Sequence, residues 1–363
     1  MPSAIPLKGS PLALLPPDAV AVSIECGVKQ MNEGKFQPPQ IRPFLIECIR
    51  EWYHAQVVSL HRLKSDSEKY IYQVNLTNGT CWILRVVEDQ SYATFVELAH
   101  LLLFFEQQNY PAERIVFTVE QATTATVDGW HLMMTTFLVG APLSYTPATF
   151  SLLGAIVGRL HALRPELPYV PPQARMLPSG ELAFAQQQLD AIVSRLPRPY
   201  IAQYELLEQA LLSMDRGTHL PTTLIHTDCH PGNALVTAPG HITLLDWEEA
   251  GMGPAIQDVG FLLVNCDGKA PWDPLSTGSF QKDEEFLQAV IEGYCQYHQL
   301  TTDDLDYLPD AMRFRSLVFG ACSFASAIAQ QKSAAFSEWW WKRYCAAEVI
   351  ADQARTYFEH ILQ

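Results

Sequence analysis

The sequence predicts an α+β, bilobal protein, with a small antiparallel-sheet lobe followed by a larger, mostly helical lobe. Two patterns and one size argument predict it. Between residues 55 and 138 short β-type runs dominate, separated by turn signals and by one helical stretch. Beyond Gly140 apolar residues instead return at helical spacing. At 363 residues the chain is long enough to bury two cores.

Taken in order, residues 1–54 divide into a proline-rich arm with little periodicity, 1–40, and an amphipathic helix over 41–53. Strands are expected at 57–63, 71–76 and 81–87. Asn78-Gly79 joins the last two as a hairpin, because both residues tolerate the positive φ of a tight turn. A helix over 92–108 stops before Tyr110-Pro111, and strands at 114–120 and 130–137 complete the small lobe of 55–138. The chain then crosses Phe137–Pro142 into a lobe spanning 139–363. Helices are expected there at 150–163, 182–195 and 201–215, short strands at 234–237 and 242–245, and helices at 283–297, 303–330 (broken) and 337–362. Of Trp339-Trp-Trp341, at least two pack in a core, since successive helical side chains point about 100° apart.

Composition narrows the function. Apolar residues make up 48% and charged residues 17%, ordinary for a globular protein. A net charge of −15 argues against nucleic acid as a partner, which needs a basic face. The excess of acids lies mostly beyond residue 140; it is compatible with a cationic small-molecule acceptor, and it equally serves solubility. The eight cysteines form no C-x-x-C pair, which suggests free thiols in a reducing compartment. The N-terminus has no basic leader, and Pro16-Pro17 interrupts its apolar stretch. The strongest apolar run, Leu98 to Phe105, is too short for a bilayer. No membrane partner and a cytoplasmic location are expected; oligomeric state leaves no sequence signal.

The chemistry concentrates in His226-Thr-Asp-Cys-His-Pro-Gly-Asn233 and Leu244-Leu-Asp246-Trp-Glu248. Phosphoryl transfer from a nucleotide needs one carboxylate beside the acceptor hydroxyl, and a carboxamide plus a second carboxylate to hold Mg²⁺ against the phosphates. Asp228, Asn233 and Asp246 supply that set at the spacing of a kinase catalytic loop and its downstream metal ligand. Each alone could be a turn residue; together, at this spacing, they favour function. Mg²⁺ is a hard cation that keeps several waters, so two protein ligands and phosphates suffice. His226 is expected to bond the loop backbone, and His230 to orient the loop or approach the acceptor. Read differently, His226, Asp228 and His230 spell H-x-D-x-H, a ligand cluster for a metal hydrolase. Cys229 lacks a partner for nucleophilic chemistry, and His161 reads as a satisfied core histidine. Glu248 and Glu249 either reach a second metal or an acceptor amine, or form a solvated pair.

These motifs, with Ile83-Leu-Arg-Val86, Gly158-Arg-Leu-His161, Gly253-Pro254 and Asp258-Val-Gly-Phe261, resemble the aminoglycoside phosphotransferase and choline kinase family over roughly residues 55–350. The resemblance implies a protein-kinase-like fold, with nucleotide in the cleft between the lobes and the catalytic and acceptor site in the second. It makes Asp228 the catalytic base or acceptor-orienting carboxylate, and Asn233 and Asp246 the Mg²⁺ ligands. Arg85 stands where the family carries a basic residue on the nucleotide phosphates, with Glu97 as its helix partner. Residues 133–138, among them Met133, Thr135 and Phe137, form the hinge strand that holds the base of the nucleotide, and Asp258 braces the catalytic loop. The chain departs from the family twice. Thr227 replaces a usual glycine, and the hairpin Lys64-Ser-Asp-Ser-Glu-Lys69 has no glycine, which leaves phosphate contacts to Ser65, Ser67 or their amides. The expected reaction moves the γ-phosphate of ATP or GTP to a hydroxyl of a small molecule such as an aminoglycoside-like antibiotic, an amino alcohol, homoserine or a sugar. The competing readings are a nucleotide-binding regulator without catalysis, a kinase of protein Ser/Thr, and the metal hydrolase.

Overall fold

The computed structural model describes residues 21–23, 38–64, 70–165, 171–266 and 284–361. The chain divides into two compact units: 1–103 with 113–137, and 104–112 with 138–363.

The first unit is built on one seven-stranded sheet. Its strands are β1 (Ala21–Ser23), β2 (Val57–Lys64), β3 (Tyr70–Leu76), β4 (Cys81–Glu88), β5 (Ile115–Val116), β6 (Thr124–Val127) and β7 (Trp130–Thr136). The pairing is antiparallel except where β1 runs beside β6. Alternation along β4 decides which face each residue serves. Leu84 and Val86 enter the core with Leu132 and Met134 of β7, whereas Arg85 and its register partner Met133 point to the opposite face. The core face is covered by helix α1 (Pro38–Tyr53), which buries Ile41, Leu45, Ile49 and Trp52 there. The helix that the sequence separates with the arm is thus part of this unit, because its apolar stripe needs the sheet to cover it. Two further differences concern strands. The expected strand at 114–120 pairs only through β5, with a tight turn at Thr118–Gln121, and β6 was not expected. Helix α2 (Tyr92–Gln107) follows β4 as expected.

The second unit is mostly helical: α3 (Pro147–Ala162), α4 (Pro178–Asp190), α5 (Ile201–Ser213), α6 (Ala255–Val264), α7 (Glu284–Cys295), α8 (Thr302–Ala329) and α9 (Ala335–Ile361). Helix α6 has no counterpart in the sequence reading. All ten of its residues are buried, so no polar face marks a helical period. Helix α8 is continuous rather than broken. A Thr301–Asp304 capping box starts it, and it runs through Pro309, packed on α4, α6 and α9. Glycine lets two helices touch: a Cβ at Gly154 or Gly158 of α3 would collide with the backbone carbonyls of Val290 and Tyr294 of α7. Trp339 and Trp340 are buried as expected, and the Arg343 guanidinium lies 4.9 Å from the Trp339 ring. Small ladders pair β8 (Ala141–Pro142), β10 (Ala234–Ala238) and β11 (His241–Leu244), and β9 (Thr222–Ile225) with β12 (Gly251–Pro254). Among the described residues no helix is long and apolar enough to cross a membrane.

Candidate active site

Strand β9 ends at Ile225 and delivers the loop His226–His230, a single turn over Pro231–Asn233, and then β10. The β10–β11 hairpin returns the chain to Leu245 and Asp246. Two local bonds join these segments. The Leu245 N–H donates to the Asn233 carbonyl at 2.8 Å, and His226 bridges the segments with its ring. The Asp228 N–H donates to His226 Nδ1 (3.2 Å), so the other ring nitrogen carries the proton and donates to the Leu245 carbonyl at 2.8 Å. Trp247 packs beneath, its ring 4.5 Å from that of His226 and 4.4 Å from Phe105. His226 is therefore structural, as expected. With both nitrogens bound to backbone it has none for a metal, which removes the H-x-D-x-H hydrolase reading.

The loop is held from behind by Asp258 of α6, which is completely buried. One carboxylate oxygen accepts the Thr227 N–H (2.7 Å). The other accepts the His226 N–H (2.7 Å) and His161 Nε2–H (3.0 Å). Nδ1 of His161 meets the Tyr294 hydroxyl at 2.8 Å. Burial pushes the Asp258 carboxyl up, but the His161 hydrogen bond and charge, His226 and the loop amide outweigh it, so it stays ionised below its ordinary range. His161, read from sequence as a core histidine, is satisfied in the core and also orients this brace.

Two backbone positions here are left-handed: Thr227 at φ 69° and Asp246 at φ 66°. Asp tolerates that region, whereas a β-branched residue pays about 1–2 kcal/mol. The position where the resemblance implies a glycine thus takes a positive φ in this chain, and Thr occupies it under strain.

Asp228 sits at the front of the loop with a third of its side chain exposed. Its Oδ2 accepts Asn233 Nδ2 at 2.7 Å and lies 3.6 Å from His230 Nε2; its Oδ1 lies 3.5 Å from Arg315 of α8. Burial raises its carboxyl, but the hydrogen bond and charge of His230, then Arg315 and His226, bring it down to about 2. A carboxylate this acidic is ionised and a weak proton acceptor at neutral pH, suited to orienting a hydroxyl. Asn233 Nδ2 also donates to the Asp228 carbonyl (3.1 Å), and among the described residues nothing donates to its Oδ1. That oxygen and the Asp246 carboxylate are the hard oxygen ligands a magnesium ion prefers, so the residues fit the ion. His230 accepts the Gly232 N–H on Nδ1 (3.0 Å), which turns its Nε2 toward Asp228. Cys229 is completely buried; burial and the nearby Asp258 carboxylate push its thiol well up, which leaves no nucleophile.

Glu248 and Glu249 are half-buried, and Arg175 ties both backbones: Nη1 donates to the Glu248 carbonyl at 2.6 Å, and its N–H donates to that of Glu249 at 3.3 Å. The charge of Glu249 acts on Arg315 and on Glu181 of α4. In the first unit, Arg85 forks onto Glu113, a partner the sequence reading did not offer. Two guanidinium nitrogens reach Glu113 at 2.8 and 3.1 Å, and Thr135 bridges the pair through its hydroxyl at 2.9 Å to each. The segment before β5 brings Glu113 to the sheet face on which Arg85 projects, and the charge of Glu97 acts on His100 along α2. Thr135 and Met133 are fully buried, and Phe137 lies just beyond β7 with its N–H on the Cys81 carbonyl. Ser65 and Ser67 lie outside the described residues. Sequence reasoning missed Glu113 and Arg315. Each pairs with a residue remote in the chain, and neither carries a local motif.

The phosphotransferase enzyme family model matches residues 59–313. No curated protein matches the chain in sequence. Among solved structures, an amicoumacin kinase in complex with AMP-PNP, Ca²⁺ and Ami is similar at TM-score 0.63 and 20% identity, over 85% of this chain and 93% of that one. A choline kinase from Streptococcus pneumoniae matches at TM-score 0.55 and 14% identity, over 86% and 99%. A microcompartment-associated aminopropanol kinase matches at 0.54 and 17%, over 84% and 96%. At these identities the likeness is one of fold.

Proposed function

The chain belongs to the phosphotransferase enzyme family, and from that premise we propose that it moves the γ-phosphate of ATP, or of GTP, to a hydroxyl of a small molecule. An amino alcohol, an aminoglycoside-like antibiotic, homoserine and a sugar are the acceptor classes. Asp228 orients the acceptor hydroxyl, with His230 fixing its carboxylate and His226 its backbone. Asn233 and Asp246 hold Mg²⁺, which when bound neutralises charge on the phosphates. Arg85, set by Glu113 and Thr135, presents the first unit's positive charge to the nucleotide, beside Met133 and Phe137. Glu248 and Glu249 face a cationic acceptor.

One observation carries this reading: Asn233 turns its amide nitrogen to Asp228 and leaves its oxygen outward, so one hydrogen bond both aims the acceptor carboxylate and orients a metal ligand. ATP gains support from the similar kinase solved with AMP-PNP. The test is a thermal-shift screen of nucleotides and acceptors with Mg²⁺, followed by turnover assays on the hits. Ligands that bind the folded state raise Tm with the logarithm of their concentration over Kd, and a nucleotide at 100 Kd adds about 2.7 kcal/mol. Absence of any Mg²⁺-dependent nucleotide shift would sink the proposal.

A further inference from the structure

Thr227 adopts a conformation its own side chain opposes. Its φ is 69°, and its buried Oγ1 has no hydrogen-bond partner among the described residues, so nothing in the residue itself repays the strain. The peptide groups on its two sides are held instead by two helices. Asp258 of α6 takes the N–H, and Arg315 of α8 donates Nη2 to the carbonyl at 2.7 Å. The same nitrogen lies 3.5 Å from Asp228 Oδ1, while Asn233 holds Oδ2. The guanidinium is itself fixed. Its side chain is 3% exposed, within 5.1 Å of the Phe261 ring and 5.4 Å of the Phe319 ring, with Nη1 3.0 Å from Met176 Sδ. A buried planar fork packed against two rings has little room to swing away from the loop.

We propose that Arg315 is a positioning residue for phosphoryl transfer. By clamping the Thr227 carbonyl it keeps this peptide left-handed, and it thereby sets the Asp228 carboxylate where a glycine would otherwise give the loop its freedom. The inference rests on the reading of Asp228 as the acceptor-orienting group. A lysine at 315 would keep the buried charge but lose the planar group that lies near Phe261 and Phe319 and the Nη1 contact to Met176, so the donor to the Thr227 carbonyl would be less fixed.

The test compares Arg315→Ala and Arg315→Lys in the native sequence and in a Thr227→Gly background, on the full chain. Hydrogen exchange of the 222–233 backbone is read without any acceptor, and kcat and KM are read with an acceptor from the screen. Arg315→Ala should speed exchange in the loop by about tenfold, a local opening. It should lower kcat by roughly 10- to 100-fold, because a misplaced reactive group costs that much. The nucleotide KM should stay within about twofold, since uniform binding is untouched. Arg315→Lys, which keeps the buried cation if the alanine variant fails to fold, should fall between the two. Guanidinium added to Arg315→Ala should restore part of kcat. In the Thr227→Gly background the same substitution should cost less in both readouts, because glycine holds a positive φ unaided. Equal losses in the two backgrounds, or unchanged loop exchange, would overturn the clamp. If the native chain turns over no acceptor, that failure belongs to the acceptor reading, and the exchange comparison still decides the role of Arg315.

Discussion

Asp228 and Asp258 meet the same loop from opposite sides and use their oxygens differently. Asp258 is sealed, and its two oxygens take three internal donors, two of them loop amides. Asp228 is a third exposed, and its oxygens face one carboxamide, one imidazole and one guanidinium, the last two at 3.5–3.6 Å. Both carboxyls lie below their ordinary range, so acidity alone does not separate them. Closure does. The hydrogen bonds on Asp258 are short, 2.7–3.0 Å, and sealed from solvent, so it is a strut, whereas two of the contacts on Asp228 are as long as 3.5–3.6 Å and a third of its side chain is open to a ligand.

That comparison can be broken by substitution. Asp228→Ala should reduce transfer by about 10²-fold or more, the cost of losing the group that orients the acceptor hydroxyl, and leave the fold intact. Steady-state kinetics beside a melting curve would check it, and a large fall in Tm would make Asp228 a strut as well. Asp258→Ala should do the reverse. It strands two loop amides and His161 in a buried site, at about 3–5 kcal/mol by denaturant unfolding. A smaller effect follows from helix α3, which carries His161 to the brace. Gly158→Ala sets a methyl against the Tyr294 carbonyl of α7 and should cost about 1–3 kcal/mol through overpacking.

The smallest effect is acid dependence. The Asp228 carboxyl is depressed from 3.8 to about 2, so the stability it contributes is complete above pH 3.8 and is lost as pH falls toward about 2. Asp228→Asn should flatten the slope of Tm against pH in that window, and an unchanged slope would leave the loss to other carboxylates.

Much of this site was legible because its chemistry lies in one short stretch. Asp228, Asn233 and Asp246 are bound to each other's neighbourhood by a hairpin whose strands are themselves readable. The resemblance added Asp258, and it implied a glycine where Thr227 stands, but the strain itself lies in the φ of 69°, which no sequence pattern shows. What stayed hidden depends on contacts between remote segments. Arg315 stands 87 residues from Asp228, and Glu113 is 28 from Arg85, so no local pattern announces either pair. Glu97 came from the resemblance alone, whereas Glu113 reaches Arg85 only once the chain before β5 has packed beside β7, which is a tertiary event. Helix α6 escaped for a related reason, since a segment buried on every side shows no period.

The division of labour across the loop is the central claim, and nucleotide binding titrated against Mg²⁺ tests it without any acceptor. The affinity of ATP should rise with Mg²⁺ in the native chain and in Asp228→Asn alike. In Asp246→Asn and Asn233→Ala that dependence should disappear. If Asp228→Asn loses the Mg²⁺ response while Asp246→Asn keeps it, the metal and acceptor roles assigned here are contradicted.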